Sequence, residues 1–123
     1  MKKAILDTSF ILTCVRQKID FLEYLETNGF RILIPSEVIN EIKSISESKK
    51  KLRFKEDALL ALKLIKNHSF EKVNLDSKNV DYGIVKFANK DMEIAVGTLD
   101  SEIKKKVNGS KIVIREKKRL EVI

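Results

Sequence analysis

Four acidic residues, Asp7, Glu41, Asp81 and Asp100, are spaced so that a chain of alternating strands and helices can gather their carboxylates. Asp7 directly follows the short apolar run at 3–6. Asp100 follows the apolar stretch 92–97, after Thr98-Leu99. Asp81 falls in the first turn of a helix expected over 79–89, which leads into that stretch. Glu41 sits well inside another helix, beside the apolar positions Val38, Ile42 and Ile45. In open α/β sheets, ligands collect beyond the carboxyl ends of the strands, and Asp7 and Asp100 fall at that edge. Carboxylates brought together repel one another, so they call for a cation or for raised pKa values. Hard divalent cations such as Mg²⁺ and Mn²⁺ take oxygen ligands. A cation held this way activates water and stabilises charge on a phosphoryl oxygen, and two of them roughly 3.5–4 Å apart clamp both attacking and leaving oxygens. That is equipment for phosphodiester hydrolysis.

Each acid also has a purely structural reading. Asp7 in Asp7-Thr8-Ser9 can be a helix N-cap, and so can Asp100 before Ser101-Glu102. Asp81 is favoured in a first turn by the helix dipole alone. Glu41 can be a solvated helix residue. Other machinery is missing from the sequence. There is no GxxxxGK[ST] or GxGxxG loop for phosphates, and no CxxC or HExxH for a soft or histidine-bound metal. The only histidine, His68, lies in Asn67-His68-Ser69, which reads as a loop at a helix end. A phosphoacceptor signalling domain would need a paired acid near the first strand and an acid after the second; Asp7 stands alone and Ile34 is followed by Pro35.

The elements that must position these residues follow from periodicity. Strands are expected at 3–6, 30–34, 70–75, 92–97 and 111–114. Helices are expected at 10–15, 20–26, from Ser36 to about Ile45, and at 56–66, 79–89 and 101–107. The third helix shows Val38, Ile39, Ile42 and Ile45 at the spacing of one helical face. The polar, basic stretch 46–55 reads as a solvated connection, and 115–123 as a basic tail. Strands alternating with helices argue for a three-layer α/β/α fold around a mostly parallel sheet, as a single domain over 1–123.

Composition sets the bounds. The 123 residues are 43% hydrophobic and 35% charged, as suits one folded domain rather than a disordered chain. No stretch approaches the roughly 20 apolar residues that span a bilayer. The first residues do not form a signal peptide, and one cysteine excludes an internal disulfide, so a cytoplasmic location is the expectation. Cys14 lies in an apolar run and is expected to be a buried small hydrophobe. A net charge of +7 favours polyanionic partners such as nucleic acid.

Four segments together resemble the PIN-domain family. Ile5-Leu6-Asp7-Thr8-Ser9 resembles its opening strand and first acid. Ile34-Pro35-Ser36-Glu37-Val38-Ile39-Asn40-Glu41-Ile42 resembles the segment carrying its glutamate, here Glu41. Val80-Asp81-Tyr82-Gly83-Ile84-Val85-Lys86-Phe87-Ala88 resembles its third-acid helix. Val96-Gly97-Thr98-Leu99-Asp100 resembles the strand ending in Thr-x-Asp. The set spans nearly the whole chain in the family's order. The resemblance implies a Mg²⁺- or Mn²⁺-dependent ribonuclease acting on single-stranded RNA, and commonly a homodimer. Asp7, Glu41, Asp81 and Asp100 would hold the metal and act in catalysis. Thr8, Ser9 and Thr98 would hydrogen-bond the acids or a phosphate. Glu37, one turn before Glu41, would support or replace it. Glu102 is a lesser candidate ligand.

Two departures stand out. Leu99 occupies a position where the family often has Asn, and Tyr82 stands where many members carry a second acid. These features favour, as the alternative, a PIN-like module that binds RNA or protein without cutting. Toxin-type members (the VapC group), whose partner is an antitoxin, usually carry a further acid just before a Phe; the corresponding stretch here is Ser101-Glu102-Ile103-Lys104, with no Phe. The segment 98–119 is more similar to archaeal PIN proteins related to ribosomal RNA processing. Lys49, Lys50, Lys51, Arg53 and Lys55 are candidate phosphate contacts, as are Lys104, Lys105 and Lys106. The dimer surface is expected on exposed apolar positions of the first two helices.

Overall fold

The computed structural model describes residues 2–123, as six strands and six helices. In chain order they are β1 (Lys3–Leu6), α1 (Thr8–Arg16), α2 (Phe21–Thr27), β2 (Arg31–Pro35), α3 (Ser36–Glu47), α4 (Leu52–Lys66), β3 (Glu71–Val73), α5 (Val80–Ala88), β4 (Ile94–Gly97), α6 (Ser101–Lys106), β5 (Lys111–Arg115) and β6 (Arg119–Val122). They form one sheet in the order β3-β2-β1-β4-β5-β6. All neighbours are parallel except the β5–β6 pair.

This order places a topological switch point between β1 and β4. From β1 the chain winds outward through β2 to β3. It then crosses back through α5 to β4 and winds the other way through α6 to β5. Parallel crossovers are right-handed in nearly all proteins. Helices α1–α4 therefore belong to one face of the sheet, and α5 and α6 to the other. Packing agrees: α1, α3 and α4 touch one another, and α5 touches α6. The expected three-layer, mostly parallel architecture is what the chain adopts.

Burial explains why the central strands read as unbroken apolar runs. Ala4, Ile5, Leu6, Ile32, Leu33, Ile34, Ala95 and Val96 are covered on both faces. Phe10 and Phe21, both buried, meet edge to face with centroids 6.3 Å apart. Gly97 ends β4 where Phe10 and Leu6 press close: a Cβ there would lie 3.0 Å from Leu6 Cδ2 and 3.2 Å from the Phe10 ring. Cys14 is buried in the same core, and burial pushes its thiol pKa up to about 12.

Three expectations are corrected. The stretch 46–55 is not one open connection. Helix α3 runs to Glu47, and α4 starts at Leu52. Phe54 is the reason: it is half-buried, with the Arg16 guanidinium 4.8 Å from its ring centroid, so the first turn of α4 has a packing partner that its lysines conceal. The tail is not loose either. After a tight turn with Lys117 and Lys118 at positive φ, β6 returns antiparallel to β5 and buries Leu120. Finally, the apolar residues of the first two helices are buried or, like Leu12 and Tyr24, half-buried, whereas the large exposed apolar side chains on this face of the sheet lie on α4: Leu52, Leu59, Leu60 and Leu64. Among the described residues, no helix is long and apolar enough to cross a membrane.

Candidate active site

The crevice outside the carboxyl ends of β1 and β4 is where a doubly wound sheet binds ligands. Here it is a cleft of about 520 Å³ lined by Asp7, Thr8, Ser9, Leu12, Glu41, Asp81, Leu99 and Asp100. All four sequence-predicted acids border it, carried on four different helices or their caps.

Asp7 is the deepest of them, 6% exposed. Its backbone N–H donates to the Gly97 carbonyl at 2.9 Å, extending the β1–β4 pairing by one residue. Its side chain caps α1 by accepting from the Thr8 N–H at 2.8 Å. The other carboxylate oxygen accepts from the Thr98 hydroxyl at 2.9 Å, with the Ser9 hydroxyl at 3.4 Å. Burial pushes the Asp7 pKa up; the Thr98 and Thr8 hydrogen bonds oppose this, and the Asp81 and Glu41 charges add to it. Those last two effects place both acids within electrostatic reach of Asp7.

Thr98 ties two acids together. Fully buried, its hydroxyl donates to Asp7 and accepts from the Asp100 N–H at 3.1 Å. Asp100 in turn caps α6, accepting from the Glu102 N–H at 2.9 Å. The capping reading and the site reading thus hold together for both Asp7 and Asp100. Thr98→Val keeps the volume but strips both bonds. It is expected to cost about 1–3 kcal/mol, the penalty of leaving buried polar groups unpaired. Denaturant unfolding measures this; an unchanged midpoint would show that the threonine does not hold these two acids.

The remaining residues sort by position. Glu41 is exposed, and the Thr8 hydroxyl donates to it across the α1–α3 junction. Asp81 is exposed in the first turn of α5, which Asn79 caps by accepting from the Tyr82 N–H. Glu37 does not line the cleft. Both of its carboxylate oxygens accept from the Leu75 N–H, at 3.2 Å, and Ser36 donates to one of them at 3.1 Å. Burial raises the Glu37 pKa, but its hydrogen bonds, chiefly to backbone N–H groups, outweigh that and hold it below the usual range. Glu37 therefore clamps the loop that leads to α5. Gly83 lets α5 settle on the same loop, since a Cβ would lie 3.0 Å from the Cβ atoms of Leu75 and Ser77. The pattern Glu37-x-x-x-Glu41 carried no signal of this division of labour. Glu102 lines a neighbouring hollow with Asp81, Tyr82 and Asp100. Of the basic residues, Lys50 lines a groove beside the cleft, and the Arg53 guanidinium lies 5.5 Å from the Phe54 ring centroid.

A larger hollow, about 580 Å³, lies at the opposite end of β2 and β3. It does not compete as a reactive centre. Its Glu26 carboxylate sits 2.8 Å from His68 Nε2, and its Glu71 faces Arg31 at 3.8 Å.

A hard divalent cation suits the donor set of the switch-point cleft. The acids offer oxygen only, and their negative charge already disfavours ionisation of Asp7. They form an open rim rather than a cage: among the described residues, no three His, Cys, Asp or Glu side chains are drawn together around one point.

The chain belongs to the PIN-like domain family, whose model matches residues 4–119. It is 29% identical to Ribonuclease VapC4 of Methanocaldococcus jannaschii, over 99% of this chain and 97% of that protein. Among solved structures, the PIN domain endonuclease Utp24 shares its fold with a TM-score of 0.77 at 24% identity, over 98% of this chain and 90% of that one. VapBC2 from Rickettsia felis, solved bound to a DNA fragment from its promoter, gives 0.55 at 18% identity, over 89% and 98% of the two chains.

Proposed function

We propose that this protein is a ribonuclease that hydrolyses phosphodiester bonds of single-stranded RNA with Mg²⁺ or Mn²⁺. The observation that carries the proposal is the convergence of Asp7, Glu41, Asp81 and Asp100 on one cleft at the switch point of the sheet. The full-length similarity to a protein named as a ribonuclease supports it. In this reading the four carboxylates hold the metal, which supplies an activated water and charge stabilisation at the phosphoryl oxygen. Asp7 is the fixed ligand, oriented by Thr8, Ser9 and Thr98. Glu41 and Asp81, exposed on the rim of the same cleft, would complete the oxygen donor set. Asp100 is held beside Asp7 by the shared Thr98 hydroxyl. The Lys49, Lys50, Lys51, Arg53 and Lys55 cluster meets RNA phosphates, giving affinity that falls steeply with salt and reads little sequence.

Two cellular settings fit this reading: ribosomal RNA processing, which the segment 98–119 suggests, and, on the relative's name, a VapC-type toxin held in check by an antitoxin. Both settings use the same chemistry. The deciding assay is cleavage of labelled single-stranded RNA by wild type and Asp100→Asn, with Mg²⁺ or Mn²⁺ and with chelator. Wild type is expected to cut only with metal, and the variant to be nearly inactive. Metal-independent cutting, or equal cutting by both proteins, would overturn the assignment. Intact RNA in every lane would leave a binding module instead.

A further inference from the structure

A second hollow, of about 250 Å³, opens beside the acidic cleft among α1, α3 and α4. The two share Ser9 and Leu12, so one continues into the other. Leu12, Ile45 and Phe54 give the groove an apolar lining, while Arg16 and Lys50 put positive charge at its edge. Arg16 is held from two directions. Its Nε donates to Asp57 at 3.1 Å, and its guanidinium lies 4.8 Å from the Phe54 ring centroid. Arg53 brings a second guanidinium to the same ring.

We propose that this groove is a nucleobase subsite, holding one unstacked base of single-stranded RNA next to the phosphate in the acidic cleft. The proposal rests on the ribonuclease reading for the identity of the strand. Three features carry it. The first is continuity: a strand whose phosphate lies among Asp7, Asp81 and Asp100 has its neighbouring nucleotide beside Ser9 and Leu12. The second is size, since about 250 Å³ falls below the roughly 300–1,000 Å³ of drug-sized pockets and suits one flat ring system. The third is chemistry. Single-stranded RNA is gripped by packing bases on aromatic rings or guanidinium planes, with cations nearby for the phosphates. The Arg16–Phe54 pair is such a surface, already positioned by Asp57, and Lys50 supplies the cation.

The test is equilibrium binding of fluorescein-labelled single-stranded RNA, with one abasic nucleotide walked along the strand. Asp100→Asn in Mg²⁺ serves as the background that prevents turnover. One abasic position is expected to weaken binding about tenfold, the usual scale for a stacked base. Arg16→Lys keeps the charge and loses the plane. It should weaken binding of the intact strand by a similar factor and make the sensitive position indifferent. Phe54→Leu should do the same. Circular dichroism and melting check that each variant folds, and Arg16→Lys alone decides the matter if Phe54→Leu does not. A flat abasic walk, or intact-strand binding unchanged by Arg16→Lys, would overturn the subsite. Cleavage by wild type alongside a flat walk overturns the subsite alone. A sensitive position without cleavage supports the subsite and defeats the hydrolase reading. Failure to bind RNA at all defeats both.

Discussion

Asp7→Asn is expected to lower the single-turnover rate of RNA cleavage by about 10³-fold, as loss of several kcal/mol of metal-assisted stabilisation requires, while leaving the stability of the fold close to that of wild type. The two halves of this result have separate causes. Asparagine retains an oxygen that accepts from the Thr8 N–H, so the cap on α1 survives. Its amide nitrogen faces the Thr98 hydroxyl, which can accept from it and from the Asp100 N–H, but the hydroxyl proton loses the carboxylate oxygen it was donated to. What disappears is a buried negative charge near those of Asp81 and Glu41. Folding is penalised by that charge wherever Asp7 is ionised, because its folded-state pKa is raised. Removing it in chelator therefore offsets the cost of the orphaned Thr98 hydroxyl proton, and the melting temperature at neutral pH should stay close to that of wild type. A variant that cuts RNA normally would remove Asp7 from the chemistry. One that melts well below wild type would make it a structural residue first.

Phe10→Ala is expected to cost about 3–5 kcal/mol, against a total stability of the order of 5–15 kcal/mol. Phe10 has no solvent exposure, meets Phe21 edge to face, and lies where Gly97 leaves room for its ring. Few small residues stand ready to fill the void, since Leu6 and Ile11 are themselves fully packed. The midpoint of thermal unfolding should fall by the order of 10–20 °C for a chain of this size. Leu59→Ala, on the exposed side of α4, should change stability by no more than about 0.5 kcal/mol. Equal losses in the two variants would mean that the core is not organised around the α1–β4 contact.

What the sequence revealed followed from local rules. Apolar runs such as Ile32-Leu33-Ile34 and Ile94-Ala95-Val96 identified strands buried on both faces, and Asp7 and Asp100 cap the helices they precede, as their local context indicates. Placing Asp7 and Asp100 at the carboxyl edge of the sheet needed only the alternation of elements; that β1 and β4 are neighbours did not follow from it. The rest depended on long-range contacts. Nothing local tells Glu37 from Glu41: one accepts from Leu75, 38 residues away, and the other from Thr8, 33 residues away. The start of α4 was hidden because lysines dominate 49–55, while its packing partner Arg16 belongs to α1. Strand β6 was missed because its turn uses Glu116, Lys117 and Lys118 rather than the glycine or asparagine that favours positive φ.

The sealed environment of Cys14 has a practical corollary. A thiol with no solvent exposure and an ionisation shifted to about pH 12 is inert to alkylating reagents while the chain is folded. Its modification thus proceeds only when α1 lifts from the sheet, and the labelling rate becomes a clock for that opening. A second cysteine placed on the surface would accept a dye selectively, with no need to replace the native one.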